Sequence, residues 1–150
     1  MGVIIQNKDI FKNYQILEKF DAGIVLHGFE VKSIFSGKGS LKGSYVFKKG
    51  NELYLVNFYI PPYQEKNCFK NYDPYRPRKL LLKKREINYL INKLKTKGLT
   101  IVPLKIYNKN NLIKVEIALV KGLKKFEKRE KIKEKDFKRI YERKLKRSSI

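Results

Sequence analysis

Residues 113–120 read Ile-Lys-Val-Glu-Ile-Ala-Leu-Val. The odd-numbered positions are large and apolar, whereas the even-numbered positions begin with Lys114, Glu116 and Ala118. This alternation predicts a β-strand with one face on a core and the other in water. Residues 101–107 are similarly rich in β-forming side chains, and the Asn-rich stretch 108–111 lies between the two runs. We therefore predict a hairpin.

Further strands are predicted nearer the N-terminus. Residues 14–20 and 23–26 are two β-rich runs, and the turn-forming residues Asp21 and Gly23 lie where the first run ends and the second begins. Residues 46–47 and 53–60 flank Lys48-Lys49-Gly50-Asn51-Glu52, a plausible hairpin connection. The second of these runs is apolar on both faces apart from Asn57, and the two prolines at 61–62 end it.

Two helices interrupt the strands. Apolar residues at 87, 90, 91 and 94 follow the i, i+3, i+4, i+7 spacing of a surface helix, and Gly98 lies where a C-terminal cap belongs. Val31, Ile34 and Phe35 predict a shorter helix over about residues 28–36.

The fold class is therefore mainly β. Five or six short antiparallel strands with inserted helices predict a small closed barrel of the oligonucleotide-binding type, carrying two or three added helices and a basic C-terminal tail. A two-layer α+β sheet is the alternative, and periodicity does not separate the two.

Charge and composition restrict the function. The 150 residues carry 36 Lys+Arg against 14 Asp+Glu, a net charge of +22, which favours a polyanionic partner. A single cysteine excludes a disulfide framework and suits a reducing compartment. There is no apolar run long enough to span a membrane and no signal-peptide pattern at the N-terminus, so we expect a cytoplasmic protein without a membrane partner.

The basic residues are concentrated at the C-terminus. Residues 121–150 hold fourteen Lys+Arg against five acids. We divide the chain into an RNA-binding core, residues 1–120, and a basic tail, residues 121–150. The tail is expected to be disordered when free and to fold on a polyanion, because a helix with its narrow apolar stripe would be marginal alone.

Few residues suit catalysis. His27 is the only histidine, and no nucleophile elbow or phosphate-binding loop is present. Asp21 and Glu30 could approach one another if strand and helix fold back, and with Asp73 they would be the metal ligands of a small nuclease. We expect no enzyme activity and no cofactor, and keep the nuclease as the least favoured hypothesis.

The connection from Pro61 to Lys79 (PPYQEKNCFKNYDPYRPRK) interleaves aromatic and basic residues. Aromatic rings stack on unpaired bases and arginines engage phosphates. Tyr75, Arg76, Arg78 and Lys79 are therefore candidate RNA contacts. The alternative is a rigid loop whose tyrosines pack on the barrel wall.

Several blocks of the sequence resemble the small protein B family. They are Asp21-Ala22-Gly23-Ile24, Gly28-Phe29-Glu30-Val31-Lys32-Ser33, Asp73-Pro74-Tyr75-Arg76-Pro77-Arg78-Lys79-Leu80-Leu81-Leu82, and Lys121-Gly122 through Glu127-Lys128-Arg129. These proteins bind SsrA, or transfer-messenger RNA, in bacterial ribosome rescue. The resemblance runs from about residue 7 to residue 139, and the second and third blocks together make it specific.

The resemblance implies what the residues do. The barrel would hold the tRNA-like domain of transfer-messenger RNA, through positions that match Asn7, Asp21, Leu81 and Lys114. A second set of positions would act at the ribosomal decoding centre and along the mRNA channel: Gly122, Phe126, Glu127, Lys128, Arg129, Ile132, Lys133 and Phe137. The sequence departs from the family pattern at Asp21, Phe35, Leu123 and Glu127, and two of these changes remove a cation.

We therefore expect a monomeric ribosome-rescue factor that enters the A site of stalled ribosomes with transfer-messenger RNA. Elongation factor Tu would take part in the delivery complex. The runner-up is a ribosomal-protein-like barrel that binds structured RNA permanently.

Overall fold

The computed structural model describes residues 2–63 and 71–122. In these residues the chain forms seven strands and three helices. They are β1 (Gly2–Gln6), α1 (Ile10–Asn13), β2 (Tyr14–Ile24), α2 (Gly28–Phe35), β3 (Tyr45–Lys49), β4 (Glu52–Val56), β5 (Arg78–Leu81), α3 (Lys84–Leu94), β6 (Leu99–Lys109) and β7 (Leu112–Gly122). The mainly β class and the added helices are confirmed.

The strands form one antiparallel sheet in the order β1-β6-β7-β2-β5-β4-β3. The sheet curls until β3 lies beside β6. Within the part of the chain that the structure describes, however, no hydrogen-bonded ladder joins β3 to β6 or to β1. The closed barrel predicted from the sequence is therefore not confirmed, and the sheet is open and strongly curved.

The hairpin of β6 and β7 confirms the prediction from residues 113–120. Asn110 and Asn111 both have positive φ, as a two-residue turn between twisted strands requires. Val115 and Ile117 lie in the main core, which fills the inside of the curved sheet. Ala118 was expected on the wet face, but it is buried in a second apolar cluster beneath Ile10 of α1.

Two other predicted boundaries move. The strand predicted over residues 53–60 ends at Val56, because Asn57 takes a φ of 60° and turns the chain. Phe58 and Ile60 then enter the core from an irregular segment. The predicted break at residues 21–22 is absent, because β7 pairs along one continuous strand, β2, from Tyr14 to Gly23, and that strand ends at Ile24, before Val25 and Leu26.

Both predicted helices are present. Leu90 of α3 is fully buried, and the other members of the predicted apolar stripe pack against the main core. α2 is joined to the rest of the molecule by Ser33, whose hydroxyl donates to the Pro61 carbonyl at 2.7 Å. Gly98 lies in the turn between α3 and β6 with a φ of 89°, three residues beyond the Lys95 cap.

Candidate nucleic-acid interface

The outer face of the curved sheet carries three of the four residues that the resemblance placed at RNA. Leu81 of β5 pairs with Gly23 of β2, and Gly23 pairs with Lys114 of β7. Residues opposite one another in a sheet share a face. Asp21 lies two residues along β2 from Gly23 and is therefore on that face as well. We call Asp21, Leu81 and Lys114 the outer-face site.

Glycine at position 23 shapes the middle of the outer-face site. A Cβ at Gly23 would lie 3.2 Å from Leu81 Cβ and 3.5 Å from its Cδ1, so the leucine side chain lies over the glycine. Leu81 is nevertheless 52% exposed. An apolar side chain that rests on backbone and faces water can contact a flat ligand such as a base or ribose.

Asp21 is held in place by a tyrosine two strands away. The Tyr107 hydroxyl donates to Asp21 Oδ1 at 2.8 Å. Burial, the hydrogen bond to Asp21 and its negative charge raise the pKa of Tyr107, so the phenol stays protonated as the donor. Tyr107 also pairs with Lys114 in the β6–β7 ladder. The tyrosine therefore links the aspartate to the row that carries the lysine.

Asn7 lies just after β1 and not in the Leu81–Gly23–Lys114 row. Its side-chain amide donates to the Pro103 carbonyl at 3.1 Å and to the Leu41 carbonyl at 3.5 Å, and its backbone N–H donates to the Leu104 carbonyl at 2.9 Å. These bonds hold the end of β1 in place, and the side-chain N–H groups of Asn7 already donate to acceptors within the protein.

Asn7 also borders an open groove that sequence reasoning missed. Glu116, which pairs with Asp21 across β7 and β2, lines the same groove, so the groove adjoins the outer-face site. Lys105 approaches Glu116 with an N–O distance of 3.8 Å. The other lysines of the groove are Lys8, Lys12 and Lys19. The spacing of lysines in the sequence could not reveal this cluster, because its four lysines come from three separate segments of the chain: residues 8–12, residue 19 and residue 105.

The arginines of the Pro61–Lys79 connection lie elsewhere. Both bind Glu30 of α2, whose side chain is fully buried. Arg78 Nε donates to Glu30 Oε2 at 2.8 Å, and Arg76 Nε donates to the same oxygen at 3.2 Å. Both arginines make a second bond through Nη2. The His27 backbone N–H donates to Glu30 Oε1 at 2.8 Å and begins the helix.

Further contacts complete this cluster around Arg78. Its Nη1 donates to the Phe58 carbonyl, and its Nη2 donates to the Pro74 carbonyl at 3.1 Å and to the Tyr72 hydroxyl at 2.9 Å. The Tyr72 hydroxyl in turn lies 2.8 Å from the Ile60 carbonyl. We call Glu30, Tyr72, Arg76 and Arg78 the buried charge cluster.

The cluster keeps Glu30 ionised. Burial by itself would raise the pKa of Glu30, but the hydrogen bond from Arg76, the backbone N–H of His27 and the charge of Arg78 outweigh burial and lower it. Burial raises the pKa of Tyr72 well above its ordinary range. The cluster therefore holds a carboxylate between two guanidinium groups and a neutral phenol.

This geometry does not fit Arg78 as an RNA contact. Its side chain has no exposed surface, and its donors are spent on Glu30, Tyr72 and two carbonyls. Arg76 is partly exposed, but it is paired with the same carboxylate. The sequence predicted these arginines as RNA contacts because they alternate with aromatic residues, whereas in the structure α2 supplies a buried acid that binds them.

Tyr75 and Lys79 do lie on the surface. Tyr75 is exposed, and its ring centroid is 5.1 Å from that of Tyr59. Lys79 points outward from β5 and binds Glu52 with an N–O distance of 2.9 Å. Tyr72, by contrast, packs edge-on against Phe29 at 4.7 Å. Tyr72 therefore packs inward, against α2 and not against the sheet, whereas Tyr75 is exposed and stays a predicted RNA contact.

The three carboxylates of the nuclease hypothesis are not gathered at one place in the described residues. Asp21 accepts from Tyr107, Glu30 is enclosed by arginines, and Asp73 Oδ1 accepts the Tyr75 backbone N–H at 2.9 Å. Across residues 2–63 and 71–122, no three His, Cys, Asp or Glu side chains gather as a metal ion would require. In the same residues no helix is long and apolar enough to cross a bilayer.

Of the residues predicted for the ribosome, the structure describes only Gly122. It is exposed, ends β7 and pairs with Tyr14. The other predicted positions lie outside the described residues: Phe126, Glu127, Lys128, Arg129, Ile132, Lys133 and Phe137.

A curved antiparallel sheet with a basic outer face and short added helices is typical of small nucleic-acid-binding β proteins. Comparison with known proteins narrows that class. A family model described as SmpB protein matches residues 4–147. The chain therefore belongs to the SmpB family.

Individual relatives agree. The chain is 54% identical over 144 residues to an SsrA-binding protein of Sulfurihydrogenibium sp. (strain YO3AOP1), covering 96% of this chain and 94% of that protein. It is 51% identical over 144 residues to an SsrA-binding protein of Persephonella marina, with the same coverage. A solved structure described as "tmRNA-SmpB: a journey to the center of the bacterial ribosome" matches with a TM-score of 0.68 and 41% identity, over 88% of this chain and 95% of that one.

Proposed function

We propose that this protein binds the tRNA-like domain of transfer-messenger RNA through the outer-face site and delivers it to the A site of stalled ribosomes. The observation that carries the proposal is the pairing of β5, β2 and β7, which brings Leu81, Asp21 and Lys114 from distant parts of the sequence to one face. Relatives at about half identity are SsrA-binding proteins, which agrees with this partner.

The chemistry of the outer-face site suits structured RNA. Lys114 offers a cation for a phosphate, Asp21 offers an acceptor for a 2′-OH or a base N–H, and Leu81 offers an apolar surface. The lysines of the neighbouring groove extend the positive charge beyond these three residues. Affinity from such phosphate contacts falls steeply with salt, so specificity has to be measured at several salt concentrations.

The delivery step is proposed from the C-terminal residues. Residues 123–150 carry thirteen Lys+Arg against five acids. In our proposal they occupy the decoding centre and the vacant mRNA channel, with Gly122 as the junction to the folded core. Elongation factor Tu would accompany the complex, and the protein would work as a monomer with the ribosome in the bacterial cytoplasm.

The first test is a binding titration of the full chain with the tRNA-like domain of transfer-messenger RNA and with alanine tRNA, at several salt concentrations. The proposal expects tighter binding of the tRNA-like domain at every salt concentration. Equal binding of the two RNAs throughout would overturn it. Sequencing the RNA that co-purifies separates the runner-up, because a permanent ribosomal protein would bring ribosomal RNA alone.

The second test divides recognition from delivery. A chain ending at Gly122 keeps the whole of β7, which a cut after residue 120 would shorten. This chain should still bind transfer-messenger RNA, while tagging of proteins on stalled ribosomes is abolished. Parallel loss of both activities would contradict the division between core and tail.

A further inference from the structure

A second surface lies on the outer face of β3 and β4, at the β3 edge of the sheet. On β3, Tyr45 and Phe47 are 42% and 53% exposed, whereas Val46 between them is buried. Tyr45 pairs with Val56 and Phe47 pairs with Tyr54 of β4, so these four side chains share one outward face. We call Tyr45, Phe47, Tyr54 and Val56 the β3 aromatic face.

The β3 aromatic face has a fixed inner border. The Tyr54 hydroxyl donates to Glu52 Oε2 at 2.8 Å, and Glu52 Oε1 is bound by Lys79 at 2.9 Å. These bonds hold the Tyr54 ring in one position beside Phe47. Glu52 faces two cations, because Lys49 pairs with it across the hairpin and Lys79 binds its carboxylate, so the hairpin keeps a net positive charge.

This surface borders the outer-face site at β5 but shares no residue with it. Lys79 of β5 pairs with Tyr54, whereas Leu81 of the same strand pairs with Gly23. Two strands, β5 and β2, separate the β3–β4 pair from Lys114 on β7. An RNA held by Lys114 on β7 would therefore leave the β3 aromatic face open to another stretch of nucleotides.

Charge decides between the possible occupants. Residues 123–150 of the same chain are strongly basic and are repelled by Lys48 and Lys49. A polyanion is attracted, and the ring faces of exposed aromatic residues on a sheet are suited to stacking with unpaired bases. A paired helix hides its base faces, so the chemistry favours single-stranded RNA.

We propose that Tyr45 and Phe47 stack on unpaired bases of RNA, with Lys49, which lies on the same side of β3, holding an adjoining phosphate. This stacking proposal depends on the proposed function in one respect, that the partner is RNA. The surface adds a contact for single-stranded nucleotides to the contact that the outer-face site makes with the tRNA-like domain.

The experiment measures the Kd of the full chain for a single-stranded RNA oligonucleotide and for an RNA duplex of the same length, at one fixed salt concentration. Phe47→Leu keeps an apolar side chain but removes the ring, and Phe47→Tyr keeps the ring. Phe35→Leu is the matched control, because Phe35 is 46% exposed and lies on α2. Circular dichroism checks that each variant is folded.

We expect Phe47→Leu to weaken single-strand binding about tenfold, as loss of one stacked base would. Phe47→Tyr and Phe35→Leu should bind like the unchanged chain, and duplex binding should be the same for all. Unchanged single-strand affinity in Phe47→Leu would overturn the proposal, and so would equal loss in Phe35→Leu. A photo-cross-linking residue at position 47 that captures a ribosomal protein and no RNA would also overturn it.

The affinity for the tRNA-like domain is measured in the same variants. In our proposal the outer-face site sets this affinity. The Phe47→Leu variant should therefore still prefer the tRNA-like domain to alanine tRNA. Failure of the stacking proposal with that preference retained leaves the proposed function standing. If the unchanged chain shows no preference for the tRNA-like domain over alanine tRNA, the proposed function is contradicted. That result does not bear on the role of Phe47.

Discussion

The buried charge cluster and the outer-face site use similar residues for opposite purposes. Glu30 is enclosed by Arg76 and Arg78, and their charges are spent on one another and on α2. On the other face, Asp21 accepts one bond from Tyr107 and remains exposed, while Lys114 is half-exposed. Charges that neutralise each other inside the protein contribute to the fold, and charges left at the surface are available to a ligand.

The largest effect that separates the two regions should come from Glu30→Gln. It leaves Arg78 buried without a countercharge, and breaking a buried pair in this way costs about 3–5 kcal/mol of the free energy of unfolding. Chemical denaturation measures it. Glu52→Gln is the matched control, because Glu52 pairs with Lys79 at the surface and should change stability little. Equal losses in the two variants would show that burial is not the cause.

The pH dependence of stability should also distinguish the buried charge cluster from a surface pair. The pKa of Glu30 is lowered on folding, so the stability that it contributes is complete above the pKa of an unfolded glutamate, about 4.3. That contribution is lost as the pH falls below this value and through the folded pKa. We expect the unchanged chain to lose more stability than Glu30→Gln between about pH 5 and pH 2. Parallel denaturation curves for the two chains would contradict this.

Lys114→Ala should affect binding and leave the fold unchanged. Removing one charged contact is expected to weaken binding of the tRNA-like domain by about 1–2 kcal/mol, with the free energy of unfolding unaltered. A titration at moderate salt and a denaturation curve measure the two quantities. An unchanged Kd would remove Lys114 from the outer-face site.

The smallest effect should come from Tyr107→Phe, which changes the buried partner of the exposed Asp21. It deletes the hydrogen bond that holds Asp21 and should cost about 0.5–1.5 kcal/mol of stability. If the bond also orients Asp21 toward RNA, affinity for the tRNA-like domain falls as well. A loss of stability without any change in Kd would restrict Tyr107 to a structural role.

The arginines illustrate how far the sequence predicts the site. Arg76 and Arg78 lie in a proline-rich connection that reads as exposed, and only the position of Glu30 on α2 shows that they are drawn inward. Glu30 lies at the third position of α2, where a carboxylate accepts the backbone N–H that precedes the helix, and that position was a usable signal for a fixed acid. By contrast, Lys79 could be read as outward once Arg78 is known to be inward, since neighbours in a strand face opposite ways.

The sequence alone determined the strand of residues 113–120, the helix around Leu90 and the strong positive charge, because periodicity and composition are local properties. It also contained the blocks that identify the family. Only the tertiary structure decided that the described sheet is open, that Ala118 is covered by α1 and that Leu81, Gly23 and Lys114 form one row. Pairing register and the burial of a charge depend on residues far apart in the chain, and no local pattern records them.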